Sequence, residues 1–190
     1  MRRTRVYTRH MTQQSLMTAD ELLRLKLPDK RAELIRGRLV TRPLRGMQSG
    51  VVVANICGAI GAHVNSKKIG SVVLATGFRI ESNPDTVRSP AVAFVSEARL
   101  PKPTPSGYPA MAPDLAIEVL SPDDRPDEIR EKVQQRIARG TLLVWVINPE
   151  TRSAQAHRTN GEVGFIKPNE CLDGETVLPG FRIELKDLFD

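Results

Sequence analysis

Between Pro113 and Leu120 the chain reads PDLAIEVL. Strand alternation puts Asp114, Ala116, Glu118 and Leu120 on one face and Leu115, Ile117 and Val119 on the other. Glu118 therefore interrupts an apolar strand, and a carboxylate there must be paired, hydrogen-bonded or bound to a cation to offset its desolvation. The next segment carries Lys132, one turn after Glu128 and at the edge of an Ile129/Val133/Ile137 stripe, so its stem can run along a buried face. Glu33, beside Leu34 and Ile35, is a second acid in an apolar setting. Two acids and a lysine so placed suit either a bound cation or plain structural pairing. On the structural side, Glu118 would pair with Lys132, Glu33 with a nearby arginine such as Arg38, and Asp114 would accept from a loop amide.

Other chemistries are excluded more easily. The 190 residues contain no G-x-x-x-x-G-K-[ST], no G-x-G-x-x-G and no G-x-S-x-G. His10, His63 and His157 are too scattered for a spaced zinc motif, and Cys57 and Cys171 make no C-x-x-C pair, which points to a reducing cytoplasm. Eight aromatic residues are too few for a base-stacking platform. The formal charge of +6 invites a polyanion, but its location narrows the invitation. Residues 1–45 hold twelve Lys and Arg against four Asp and Glu, whereas 46–190 hold sixteen against eighteen. Starting from Met11 or Met17 would leave 24 basic against 22 acidic residues. What persists is a local excess in Arg31, Arg36, Arg38, Arg42 and Arg45, around the segment that carries Glu33.

The elements that must position these residues follow from pattern. Residues 1–17 read as a flexible basic arm or an over-extended start, and 18–190 as one domain. Thr18 with Glu21 forms a capping box ahead of Leu22, Leu23 and Leu25, predicting a short helix. AELIRGRLVTR predicts two strands about an Arg36-Gly37 turn. The uncharged stretch Gly46–Ser66 contains Gln48, Asn55, His63 and Asn65, which favours a buried helix over a membrane span. GSVVLATGFRIES and VRSPAVAFV predict two strands of one hairpin turning at Asn83-Pro84-Asp85-Thr86. A Pro-rich loop, 101–113, leads to the strand of Glu118, then to a helix closed by Gly140, and TLLVWVIN predicts a central strand covered on both faces. The fold class is α/β or α+β, a mixed sheet flanked by helices.

The ordered blocks AELIRGRLV, TGFRIESNPDTVRSPAVAFVSEARL, GYPAMAPDLAIEVLSP, EIREKV and LVWVINPETRSAQAHR resemble the Uma-type restriction endonuclease family, a branch of the PD-(D/E)xK nuclease superfamily. The resemblance runs from about Thr18 to Phe189. It implies a restriction-endonuclease-like fold and a site hydrolysing DNA phosphodiesters with Mg²⁺ or Mn²⁺. Carried over, Glu33 is the outlying acid, Glu118 the strand acid and Lys132 the lysine moved onto the helix. Glu33 and Glu118 would hold the metal, while Lys132 would orient or deprotonate the attacking water. Arg36, Arg38, Arg42 and Arg45 would face DNA, and a homodimer would let two sites meet both strands. A histidine frequent at the start of the long helix is replaced by Ser49 or Gly50.

The resemblance breaks at one position. Where the family has Pro-Asp, this chain has Pro90-Ala91, so the metal-binding carboxylate is a methyl group. Asp114, after Pro113, lies about 13 Å from Glu118 by strand rise, and Asp85 about 20 Å from Ala91, both too far to substitute directly. Three explanations compete: an engineered inactivation, a natural pseudo-nuclease, or a variant whose metal is held by Glu33, Glu118 and water. Function divides accordingly between a metal-dependent endonuclease and a catalytically dead, nucleic-acid-binding module on the same fold. A third reading is an interaction domain without a nucleic acid partner.

Overall fold

The computed structural model describes residues 16–28 and 30–189. The expected basic arm therefore falls almost wholly outside the described residues. Twelve strands and three α-helices follow: α1 (Ala19–Arg24), β1 (Lys30–Ile35), β2 (Arg38–Pro43), α2 (Met47–Lys67), β3 (Gly70–Leu74), β4 (Phe78–Glu81), β5 (Thr86–Arg88), β6 (Val92–Ser96), β7 (Leu115–Val119), α3 (Pro126–Ala138), β8 (Leu143–Asn148), β9 (Ser153–Arg158), β10 (Val163–Ile166), β11 (Cys171–Asp173) and β12 (Arg182–Glu184). A 3₁₀ turn, Leu185–Leu188, ends the chain's regular structure.

The main sheet has the order β10-β9-β8-β7-β6-β3, antiparallel except for the parallel pair β7 and β8. That pair requires a crossover, and α3 supplies it. Both central strands are buried on both faces. Leu115, Ile117, Val119, Leu143, Trp145 and Ile147 point toward α2, whose inner stripe is Val52, Ile56, Ile60 and Val64. Ala116, Val144 and Val146 point the other way, onto Val133, Ile129 and Ile137 of α3. By length and hydropathy α2 could also cross a bilayer, yet it packs this stripe on the sheet.

A second sheet, β2-β1-β5-β4, carries Glu33. It is closed by α1, whose Thr18 and Glu21 form the expected reciprocal cap and whose Leu22 and Ala19 pack on Leu34 and Val87. At the β1–β2 turn Arg36 and Gly37 both have positive φ, as a two-residue hairpin demands.

One expectation is corrected here. The hairpin of residues 70–96 is not two continuous strands. It breaks at 75–77 on one arm and 89–91 on the other, so β3 and β6 belong to the main sheet while β4 and β5 belong to the second. Gly77 shows why the first break is tight. A Cβ there would lie 2.6 Å from the Tyr108 ring and 2.9 Å from Val87. The broken hairpin is the joint between the sheets, and the residues of interest gather beside it.

Candidate functional site

The site is assembled along one edge of α3. Its apolar stripe rests on the main sheet, and the adjoining positions, spaced three and four residues apart, point toward the second sheet. Glu128 pairs with Arg42 of β2, Lys132 with Glu33 of β1, Gln135 accepts from Arg88 of β5, Arg136 pairs with Glu118 of β7, and Arg139 with Glu81 of β4. The helix thus bridges both sheets through side chains from its first turn to its C-cap, Arg139.

Glu33 is 6% exposed and fully partnered. Its carboxylate accepts from Arg88 Nη1 at 3.1 Å and from the Ser89 N–H at 2.9 Å, and lies 3.5 Å from Lys132 Nζ. Burial pushes its pKa up, but the charges of Lys132, Arg88 and Arg136, with the Ser89 N–H, outweigh burial and hold the carboxyl below its ordinary value. Glu118 is 4% exposed, and Arg136, at 1%, is among the largest fully buried side chains. Their ion pair joins Arg136 Nη1 to Glu118 Oε1, while Arg136 Nη2 finds no acceptor among the described residues. Ser49, where the family was expected to have histidine nearby, donates its hydroxyl to Leu120 O at 2.8 Å and ties α2 to the end of β7.

Sequence reasoning found the two acids and the lysine but assigned partners differently. Glu118 pairs with Arg136, not Lys132, and Glu33 with Arg88 and Lys132, not Arg38, which stands at an exposed strand start. Asp114 does accept from a backbone amide, that of Ser96 at 2.8 Å, and also from Arg99. The missed residues are Arg88, Gln135 and Arg136. A signal for Arg136 was present, since Glu128, Lys132 and Arg136 recur every four residues along one helix edge.

Ala91 is 2% exposed and immediately precedes β6. Its N–H donates to Ile117 O at 2.9 Å, the residue before Glu118 and already the ladder partner of Val92. Position 91 is thus next to Glu118 along the ladder, but its methyl carries no donor atom.

In front of Glu33 and Lys132 lies a cavity of about 260 Å³, whose lining includes Lys30, Arg31, Arg42, Arg45, Ser89 and Tyr108. Its lining counts five cationic side chains against one acid, Glu33; Lys132 pairs with that acid and Arg42 with Glu128, which leaves Lys30, Arg31 and Arg45 in excess. Arg45 Nε is buried without a hydrogen-bond partner. Burial, then the charge of Arg31, pulls the Arg45 guanidinium's pKa below its ordinary value despite Glu118, Asp124 and Glu33 nearby. A cation so placed is short of negative charge. Of the four arginines expected to face DNA, Arg42 and Arg45 line this cavity, whereas Arg36 borders a separate hollow with Glu81 and Arg139.

These residues do not fit a hard dication. Among the described residues no three Asp, Glu, His or Cys side chains come together. Glu33 and Glu118 are both engaged by cations, and Mg²⁺ wants free carboxylate oxygens in octahedral array.

A mixed sheet with a parallel central pair, flanked by helices and carrying buried acids beside a helix lysine, defines a nuclease-type fold. The chain belongs to the Uma2 family, described as "Putative restriction endonuclease", whose profile matches residues 19–186. Five chains of solved structure are similar to it. One is a crystal structure of a "putative nuclease belonging to DUF820" from Anabaena variabilis ATCC 29413, with a TM-score of 0.80 at 21% identity, covering 91% of this chain and 97% of that one. No curated protein matches.

Proposed function

We propose that this chain is a nuclease-fold protein that binds nucleic acid through its cationic cavity without hydrolysing it. The observation that carries the reading is the cavity's charge: of the five cations lining it Arg42 pairs with Glu128 and Lys132 with Glu33, while Lys30, Arg31 and Arg45 have no carboxylate partner among the described residues and Arg45 Nε is buried and unpartnered. A phosphodiester backbone supplies the missing anions, and guanidinium forks suit its oxygens. Hydrolysis would need a polarising ion to lower the pKa of water and stabilise the developing charge, and Ala91 offers it no oxygen.

The test is anisotropy of a labelled 20-base-pair duplex in EDTA over a salt series. Binding that weakens steeply with salt and that Mg²⁺ does not strengthen is expected. Absence of binding at 50 mM salt, or an Arg45→Ala variant that binds as well as the parent, would sink the reading. A metal-dependent endonuclease remains the second reading, favoured by family membership and by Lys132 standing beside Glu33. Plasmid nicking by the unmodified chain with Mn²⁺, lost in Glu118→Gln, would establish it instead.

A further inference from the structure

We propose that Arg136 is the resident cation of this site, occupying the Glu118 carboxylate that a divalent metal would need. The inference rests on reading the site as metal-free, and it names the residue that makes it so. The loss at position 91 alone does not explain the geometry. Three cations, Arg88, Lys132 and Arg136, stand on two carboxylates, Glu33 and Glu118, all of them buried. The cluster is already one positive charge in excess before any metal enters.

Of the three, Arg136 is the one on Glu118. Lys132 and Arg88 both belong to Glu33, and Arg88 is further fixed by Gln135 at 2.7 Å. Arg136 cannot swing aside without crossing the packed interface that leaves it 1% exposed. Its charge also reaches Glu33, lowering that carboxyl's pKa along with Lys132 and Arg88. A guanidinium thus does for both acids what a metal would do electrostatically, while offering neither open coordination positions nor a bound water.

Replacing Ala91 by Asp adds one carboxylate and brings the cluster only to neutrality, three acids against three cations, with Arg136 still on Glu118. Removing Arg136 as well leaves three acids against two cations, a net negative site that attracts a dication. Position 91 and Arg136 therefore act together, and restoring the acid alone is insufficient.

The experiment is calorimetric titration with MnCl₂ alone, without nucleic acid, on the full chain and its variants. Ala91→Asp is expected to show no saturable site up to 1 mM Mn²⁺. Ala91→Asp/Arg136→Gln is expected to bind one Mn²⁺ at least tenfold more tightly than that limit, and adding Glu118→Gln should abolish it. Should the Gln double variant not fold, Ala91→Asp/Arg136→Met, which keeps more apolar bulk in the buried position, replaces it. Glu118-dependent Mn²⁺ binding by Ala91→Asp alone would overturn the proposal, as would a folded double variant that binds none. DNA affinity in EDTA is read separately, so failure of the binding function and failure of this inference are distinguishable.

Discussion

Glu33 illustrates how a side chain's role depends on what stands opposite it. Buried beside Leu34, it would be costly alone, and Arg88, Lys132 and the Ser89 amide make it stable as an anion. Because its folded-state pKa lies below the ordinary value of 4.5, folding favours the deprotonated form. That stability is fully present above pH 4.5 and is lost as pH falls through the lower folded value. Glu33→Gln should therefore cost about 3 kcal/mol at neutral pH, the usual effect of breaking a buried pair. The gap between parent and variant should close below pH 4.5, where the parent's own carboxylate takes up a proton. Urea unfolding at pH 7, 4 and 3 reads this directly, and a gap that widens in acid would contradict it. The same logic makes Glu118→Gln strongly destabilising, by about 3–5 kcal/mol, since it strands Arg136. Glu118→Gln/Arg136→Met should recover much of that loss, and thermal melts of the single and double variants form the cycle that measures it. The acids were legible in the sequence because they interrupt apolar strands. Their partners were not, because Arg88 and Arg136 reach them only through tertiary packing.

Elements were more legible than their connections. The capping box, the Arg36-Gly37 turn, the apolar stripe of α2 and the buried β8 each follow from local spacing, and each stands where expected. The division of the 70–96 hairpin between two sheets does not follow from local spacing, because the short breaks at 75–77 and 89–91 interrupt each arm without showing that its two halves take different partners. Gly77 was the available sign. It sits against the Tyr108 ring and Val87 at distances no Cβ tolerates. Gly77→Ala should lower stability by about 1–3 kcal/mol through overpacking, seen as a lower melting temperature. Because β4 and β5 carry Glu81 and Arg88 toward α3, the same change should also weaken DNA binding in the anisotropy assay. Loss of stability with wholly unchanged binding would show that the joint does not position the cavity.

For the whole molecule the question is which part of the +6 charge does the binding. Four of the arginines lie in the first ten residues, and without them the chain is nearly balanced. Net charge would then predict weak, diffuse attraction to nucleic acid, whereas the cavity predicts a focused site, because Lys30, Arg31, Arg42, Arg45 and Lys132 converge while acids elsewhere are scattered. Deleting residues 1–10 separates the two. If the tail supplies the affinity, binding disappears with it and Arg45→Ala has no further effect. If the cavity supplies it, the shortened chain keeps its salt-dependent binding, and Arg45→Ala flattens the slope of log K against log salt by about 0.9, one phosphate contact. The buried, unpartnered Nε of Arg45 and the nearby charge of Arg31 favour the second outcome, since an arriving phosphate would relieve both. Loss of binding on deleting residues 1–10 would assign it to the tail, and an unchanged salt slope in the shortened Arg45→Ala chain would remove Arg45 from the contact.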